Sequence, residues 1–202
     1  AYILNGKFQE GQGLLSTYDI EPDYLELFKN NLHFGSRRIK VVIDPGNGTT
    51  SIIAKKLYEM FPIDLIVING ESDGHFTNHH PDPCVEENLN QLKEKVLAEK
   101  ADIGLSFDGD GDRMGMVTNT AKFLPTDMYM ILIIRDIINK VDKKEFLYDV
   151  KCSKALEDEI ERLDGKGICY RTGNSYTKAA VRDLDLPFGG ELSGHVYFRD
   201  RW

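Results

Sequence analysis

Short apolar runs alternate with longer amphipathic stretches along most of the chain. The short runs are rich in β-branched residues and are bounded by polar or glycine-containing segments, which predicts strands buried in a sheet. The predicted strands cover 39–44, 64–70, 101–107, 114–119, 145–150, 167–172 and 195–200. The longer stretches predict helices over 21–35, 49–61, 85–100, 125–139, 153–163 and 175–184. The helix over 125–139 is apolar on nearly every side, so we expect it to be buried.

This order of elements occurs twice. The first copy consists of a strand, a loop, a helix and a second strand, which ends near 69–71 (NGE). The second copy has the same order about 105 residues later, and its second strand ends near 172–174 (TGN). The sequence therefore predicts an α/β protein of two related domains, each with a mostly parallel mixed sheet flanked by helices. We place these domains at 1–118, which includes an N-terminal linker helix, and at 119–202. Ligands of such sheets bind beyond the carboxyl ends of the strands, so we expect the site in the loops after Asp44, Phe107, Val150 and Thr172.

The composition narrows the class of partner. Hydrophobic residues make up 41% of the 202 residues, and 33 Asp and Glu against 25 Lys and Arg give a formal charge of −8. Nucleic-acid binding depends on Lys and Arg that contact phosphates, so we expect no nucleic-acid partner, whereas a small anionic ligand remains possible. The longest apolar run, Met128 to Ile134, is far shorter than the ~18 residues of a membrane helix, so we expect no membrane partner. Cys84, Cys152 and Cys169 lack the spacing of a zinc or disulfide motif, which favours buried, reduced thiols in a cytoplasmic protein.

The stretch SFDGDGDR (106–113) places three carboxylates at alternate positions directly after a predicted strand. In extended backbone, Asp108, Asp110 and Asp112 point to one side and repel one another, and a divalent cation removes that repulsion. Carboxylate oxygens without Cys or His favour Mg²⁺ over zinc. The guanidinium of Arg113 is suited to a phosphate beside the metal, although it can instead pair with neighbouring carboxylates.

Three alternatives compete with a magnesium site. An EF-hand would place Gly and Glu where the chain has Arg113 and Asn119, so we exclude it. A haloacid-dehalogenase-type phosphatase with Asp108 as nucleophile also opens with Asp-x-Asp after an apolar strand, but Gly111 and Asp112 stand where it needs a β-branched residue. A solvated acidic turn is the remaining alternative.

A second dense group of polar residues is GGELSGH (189–195). Glu191, Ser193 and His195 alternate there, and a carboxylate, a hydroxyl and an imidazole suit the hydroxyls of a sugar. His195 can also exchange protons near neutral pH. A hairpin turn is the alternative.

Other loops carry weaker indications. Lys151 follows a predicted strand and can reach a phosphate, and Thr172 to Ser175 precede a helix whose N-terminus favours anions. The segment DPGNGTTS (44–51) lacks the Lys of a Walker loop and is typical of a tight strand–helix turn. The adjacent His79 and His80 favour capping or loop packing over joint metal ligation.

The segments DGDGDR, GELSGH, RTGNS, DVKCS and NHHPDP together resemble, in order along nearly the whole chain, those of the α-D-phosphohexomutase superfamily. Within it they are most similar to the bacterial phosphomannomutase/phosphoglucomutase branch. The resemblance implies a reversible phosphoryl shift between C1 and C6 of a hexose phosphate (mannose, glucose or both). It also implies a phosphoserine enzyme, a bisphosphorylated hexose as intermediate and activator, and Mg²⁺ as cofactor.

The resemblance further implies roles for individual residues. It makes Asp108, Asp110 and Asp112 the metal ligands and Arg113, His195 and Lys151 the catalytic residues. The substrate-binding residues that it implies are Lys151, Thr172, Gly173, Asn174, Glu191, Ser193 and His195. Asn174 stands where related enzymes usually carry His, and an amide cannot shuttle protons.

Family enzymes have four domains, and the serine motif Thr-Ala-Ser-His-Asn-Pro of the first domain is absent from this sequence. We therefore expect the middle of a longer enzyme, domain two and an incomplete domain three, that is inactive by itself. Its expected partners are the hexose phosphate and the missing phosphoserine and C-terminal domains of the same protein. A non-catalytic module that binds sugar phosphate or metal is the alternative.

Overall fold

The computed structural model describes residues 3–199, which fall into two compact units, 3–33 and 34–199. The first unit contains helix α1 (Glu21–Asn31). Pro22 lies in its first turn, where a missing N–H costs nothing, and acidic residues precede Lys29 in the order that the helix dipole favours.

The first sheet of the second unit has five strands in the order β2-β1-β3-β4-β5. Strands β1, β2 and β3 are parallel, and β4 and β5 continue the sheet antiparallel. The strand bounds are Ile39–Asp44 (β1), Ile63–Val67 (β2), Ile103–Phe107 (β3), Met114–Thr118 (β4) and Phe123–Leu124 (β5). The helices between them are α2 (Ala54–Glu59), which follows a 3₁₀ turn over Thr49–Ile52, and α3 (Asn90–Glu99), which follows one over Glu86–Leu89.

The second sheet has four strands in the order β7-β6-β8-β9, of which only β9 is antiparallel. Its strands are Glu145–Asp149 (β6), Lys166–Tyr170 (β7), Phe188–Gly190 (β8) and Val196–Phe198 (β9). Its helices are α4 (Thr126–Ile137), α5 (Lys154–Arg162) and α6 (Asn174–Asp183). The predicted α/β class, with two mostly parallel mixed sheets flanked by helices, is confirmed.

Both sheets are covered on both faces, which explains the nearly continuous apolar strands. In β1, Val42 packs in the cluster that includes α3, while Val41 and Ile43 pack on the opposite face with Ala54. In β6, Phe146 packs with α4 and α5, and Leu147 packs with α6 on the other face. The two faces follow from the alternation of side chains along a strand.

Three local predictions are wrong. The segment 49–61 does not form one helix, because its first turn is 3₁₀ and the α-helix begins only at Ala54. Helix α4 is not buried all round, because Leu132 is half exposed. The three thiols are not buried as predicted, because Cys169 is exposed on the edge strand β7 and Cys84 and Cys152 are only partly buried.

None of the helices within 3–199 combines the length and the apolar character of a membrane span. The division into domains at 118/119 stays a prediction, since both sheets lie within the same compact unit.

Candidate active site

The acidic loop, defined here as residues 108–113, leaves the carboxyl end of β3 and turns directly back into β4. Gly111 has a positive φ of 80°, which glycine adopts without the cost that a side chain would add. The turn brings one carboxylate oxygen each from Asp108, Asp110 and Asp112 to within 4.8 Å of one another. The alternating spacing in the sequence thus becomes a cluster of three carboxylates.

Asp108 is the buried member and organises the loop. Its Oδ1 accepts hydrogen bonds from the backbone N–H groups of Gly111 and Arg113, both at 3.0 Å, and its Oδ2 accepts one from Arg113 Nε at 2.7 Å. Burial acts to raise the pKa of Asp108, but the hydrogen bonds and the charge of Arg113 outweigh it and hold that pKa below its usual value. Asp108 is therefore ionised, and its Oδ2, which accepts one hydrogen bond whereas Oδ1 accepts two, keeps a lone pair for a cation.

Asp110 is exposed, and its pKa is raised, first by the negative charge of Asp112 and then by that of Asp108. The charges of both neighbouring carboxylates thus oppose the ionisation of Asp110. Oxygen donors without nitrogen or sulfur, held together against repulsion, fit a hard divalent cation such as Mg²⁺.

The turn after β1 lies against the acidic loop. The backbone N–H of Thr49 donates to the carbonyl of Gly109 at 2.9 Å. A Cβ on Gly48 would lie 2.7 Å from the same oxygen, so only glycine permits this approach. The segment DPGNG is a tight turn, as predicted, and in addition it supports the acidic loop.

The sugar loop, defined here as residues 191–195, connects β8 to β9 as a tight hairpin. Glu191 is only 1% exposed, and its Oε1 accepts hydrogen bonds from Gly173 N at 2.6 Å and from Thr177 Oγ1 at 2.7 Å. Its Oε2 lies 3.3 Å from Ser193 Oγ and 3.1 Å from His195 Nδ1. Glu191 thus fixes the loop and the start of α6 together.

The acidic loop and the sugar loop meet at Asp112. His195 Nε2 and Asn174 Nδ2 each lie 3.2 Å from Asp112 Oδ2. The backbone joins the two loops as well, since Met114 N donates to the carbonyl of Gly194. The hydroxyl of Tyr129 lies 2.9 Å from the carbonyl of Met114 and 3.2 Å from that of Gly194, so its single hydrogen is shared between the two loops. The carboxylate cluster at the end of one sheet and the polar side chains of the hairpin in the other sheet therefore form one continuous surface.

Lys151 lies apart from this junction, with its Nζ 3.7 Å from Asp149 Oδ2. Asp149 is fully buried at the end of β6, and its carboxylate also accepts hydrogen bonds from Thr172 Oγ1 at 2.8 Å and from Leu192 N at 3.1 Å. One carboxylate thus connects Lys151, the 172–174 loop and the sugar loop. The motifs and spacings in the sequence do not point to Asp149 as a functional residue. The repeat could have identified it, because Asp44 occupies the equivalent end of β1.

Asp44 is also fully buried, and it pairs with His79. The Nε2 of His79 lies 2.9 Å from Asp44 Oδ2, and its Nδ1 lies 2.9 Å from the carbonyl of His80. Both ring nitrogens therefore face acceptors, an arrangement that only the protonated imidazole satisfies. The hydrogen bond to Asp44 is the main reason that the pKa of His79 is raised above its ordinary value. Loop packing, rather than metal ligation, is the role that this geometry gives His79.

This pair makes stability depend on pH. Because the folded-state pKa of His79 is raised, the pair contributes fully below the unfolded pKa of about 6.5, and its contribution is lost as the pH rises through the folded pKa. We expect the free energy of unfolding, measured in urea from pH 5.5 to 9, to fall by about 1 kcal/mol over that interval. His79→Gln should remove this decline, whereas His75→Gln, a change at an exposed ring in the same loop, should retain it. An unchanged decline in His79→Gln would contradict the assignment.

Two family models match the chain in succession. Phosphoglucomutase/phosphomannomutase, alpha/beta/alpha domain II, matches residues 22–121, and domain III of the same family matches residues 125–202. The first model contains the acidic loop and the second contains the sugar loop.

Individual proteins agree with these models. A phosphomannomutase/phosphoglucomutase of Pseudomonas aeruginosa is 39% identical over 192 residues, which are 95% of this chain and 41% of the relative. A phosphoglucomutase of Neisseria gonorrhoeae is 36% identical over 191 residues, with the same two coverages of 95% and 41%. The crystal structure of a phosphoglucomutase/phosphomannomutase family protein from Burkholderia thailandensis superposes with a TM-score of 0.93 at 35% identity, covering 100% of this chain and 44% of that one.

The chain thus spans 41% of the length of these two curated relatives. Its two sheets, its acidic loop and its sugar loop all lie within the segments that the family models match. The chain belongs to the phosphoglucomutase/phosphomannomutase family of α-D-phosphohexomutases.

Proposed function

We propose that this chain forms the two central domains of a Mg²⁺-dependent phosphohexomutase that interconverts hexose 1-phosphate and hexose 6-phosphate. The substrates are mannose phosphate, glucose phosphate or both, in keeping with the names of the relatives. A cytoplasmic location is part of the proposal, because the three cysteines are free thiols.

One observation carries this proposal. Asp112 belongs to the carboxylate cluster suited to a cation, and the same side chain lies 3.2 Å from His195 and 3.2 Å from Asn174. A phosphoryl group held at the cluster would therefore be adjacent to a sugar held at the second loop. Phosphoryl transfer depends mainly on such positioning and on neutralisation of charge.

The residues take the following roles in the proposal. Asp108, Asp110 and Asp112 hold Mg²⁺, which when bound neutralises charge on the transferring phosphoryl group. Arg113 contacts that phosphoryl group through guanidinium N–H donors. His195 lies between the carboxylates of Asp112 and Glu191, where it can move a proton to or from a sugar hydroxyl.

The sugar contacts come from the second sheet. Ser193 and Glu191 bind hydroxyls of the sugar, and Glu191 also keeps Ser193 and His195 in place. Lys151 and the loop of Thr172, Gly173 and Asn174 contact a phosphate or hydroxyl of the hexose.

The phosphoryl donor is a phosphoserine outside this chain. Its phosphoryl group passes to the free hydroxyl of the hexose monophosphate, which gives a bisphosphorylated hexose and a free serine. After the sugar reverses its orientation, the other phosphoryl group returns to the serine. Because the family models that match this chain describe domains II and III, we propose that the phosphoserine domain and a C-terminal domain complete the enzyme.

The geometry argues against Asp108 as the nucleophile of a phosphatase. That carboxylate is 3% exposed, and its two oxygens already accept three hydrogen bonds. A nucleophile needs an oxygen that the phosphorus atom of the substrate can reach, and the burial of Asp108 denies that access.

The 202-residue chain is expected to bind Mg²⁺ but to give no conversion of glucose 1-phosphate to glucose 6-phosphate, because it contains no phosphoserine motif. A coupled assay with glucose 6-phosphate dehydrogenase measures the conversion, and calorimetry measures the metal. Robust turnover by the chain would contradict the phosphoserine mechanism. Failure to bind Mg²⁺ at millimolar concentration would contradict the metal site.

A further inference from the structure

We propose that Asp82 is a positioning residue that orients the guanidinium of Arg113 toward the phosphoryl group. This inference rests on the proposed function, which makes Arg113 a phosphoryl contact. It assigns a role to a side chain that lies 31 positions before Arg113 in the sequence, in the loop between β2 and α3.

Two carboxylates hold Arg113 from different sides. Arg113 Nε donates to Asp108 Oδ2 at 2.7 Å, and Arg113 Nη1 donates to Asp82 Oδ1 at 3.2 Å. A guanidinium is planar, so contacts at Nε and at Nη1 from separate residues fix the direction of its plane. Among residues 3–199, Nη2 has no hydrogen-bond partner, which leaves it available for an anion.

Asp82 is itself held rigidly. Its Oδ1 also accepts a hydrogen bond from Cys84 N at 3.1 Å, and its carbonyl accepts one from Asn88 Nδ2 at 3.0 Å. Prolines flank it at 81 and 83, and each fixes one backbone angle. Pro83 lies against β4, since a Cβ on Gly115 would be 2.4 Å from the carbonyl of Pro83. The carboxylate therefore has a fixed position relative to the strand that follows Arg113.

The negative charge of Asp82 by itself would weaken phosphate binding, whereas its orientation of Arg113 would strengthen that binding. The acidic loop already contains three carboxylates, and a fourth negative charge nearby repels a phosphate. Removal of that charge should therefore strengthen phosphate binding if only electrostatics matters. If Asp82 acts by orienting Arg113, its removal should weaken phosphate binding. The two explanations therefore predict changes of opposite sign in phosphate affinity when Asp82 loses its charge.

The test uses the 202-residue chain with saturating Mg²⁺ and inorganic phosphate as the probe, with the dissociation constant measured by calorimetry. Asp82→Asn is expected to weaken phosphate binding about 10-fold and to leave the Mg²⁺ affinity and the thermal midpoint unchanged. Asp82→Glu retains the charge but displaces the oxygen by one methylene, and it should weaken phosphate binding as well. Glu71→Gln removes one negative charge from an exposed side chain in the same loop and should not weaken binding.

A second measurement reports on the orientation directly. In ¹⁵N spectra of the chain, hindered rotation about the Nε–Cζ bond should give Arg113 separate Nη resonances, with Arg113→Lys providing the assignment. These resonances should merge in Asp82→Asn. Phosphate binding equal to or tighter than wild type in Asp82→Asn, or Nη resonances that stay separate there, would overturn the inference. If wild type binds Mg²⁺ but no phosphate, the proposed function fails, and the Nη resonances still decide whether Asp82 orients Arg113.

Discussion

Replacement of Asp110 by Asn is expected to lower the affinity of the chain for Mg²⁺ by at least ~100-fold, since even residues beyond the direct ligands cost about 10- to 100-fold. The fold should tolerate the change, because Asp110 is exposed and the other two carboxylates repel its charge. We therefore expect the free energy of unfolding in EDTA to stay within about 0.5 kcal/mol of wild type. Calorimetry with Mg²⁺ and urea unfolding in EDTA measure the two quantities.

Asp108→Asn provides the contrast. It should also remove Mg²⁺ binding, but it leaves the partly buried guanidinium of Arg113 without its shortest ion pair. We expect it to lower the free energy of unfolding by about 3 kcal/mol. Asp142→Asn, at an exposed position outside the acidic loop, should change neither quantity. Mg²⁺ binding that is equal in wild type and Asp110→Asn would show that the cluster is a solvated acidic turn.

The second large effect is expected from Asp149→Ala, which should lower the free energy of unfolding by about 3–5 kcal/mol. Asp149 is fully buried, and its removal leaves Leu192 N and Thr172 Oγ1 without their acceptors. Each hydrogen bond to a charged group contributes about 1.5–3 kcal/mol, and Lys151 loses its ion pair as well. Urea unfolding measures the loss, and hydrogen exchange at the Leu192 amide should become faster in the native state.

Asp149→Asn is the matched control, because an amide oxygen can still accept one of these bonds. It should lose less stability than Asp149→Ala and should retain more protection at Leu192. If Asp149→Ala unfolds at the wild-type urea concentration and the Leu192 amide exchanges no faster, the carboxylate does not hold the three loops together.

Much of the local structure follows from the sequence because its causes are local. Strand β1 is predicted at its observed bounds, since four of its six residues are apolar and β-branched and it ends at a turn of Pro and Gly. Helix α4 shows the limit of that reasoning. Its apolar composition predicts complete burial, yet Leu132 is half exposed, because only the packing of neighbouring elements decides which sides of a helix are covered.

The sequence by itself determined the α/β class, the repeat of the two sheets and the presence of three alternate carboxylates after β3. Only the tertiary structure decided that Asp82 holds Arg113, that Asp149 connects three loops and that Asp112 meets His195 and Asn174. These partners are separated by up to 83 positions in the chain. Their contacts depend on how the strands order themselves in the sheets and on how two sheet edges meet, and the spacing of residues along the chain specifies neither.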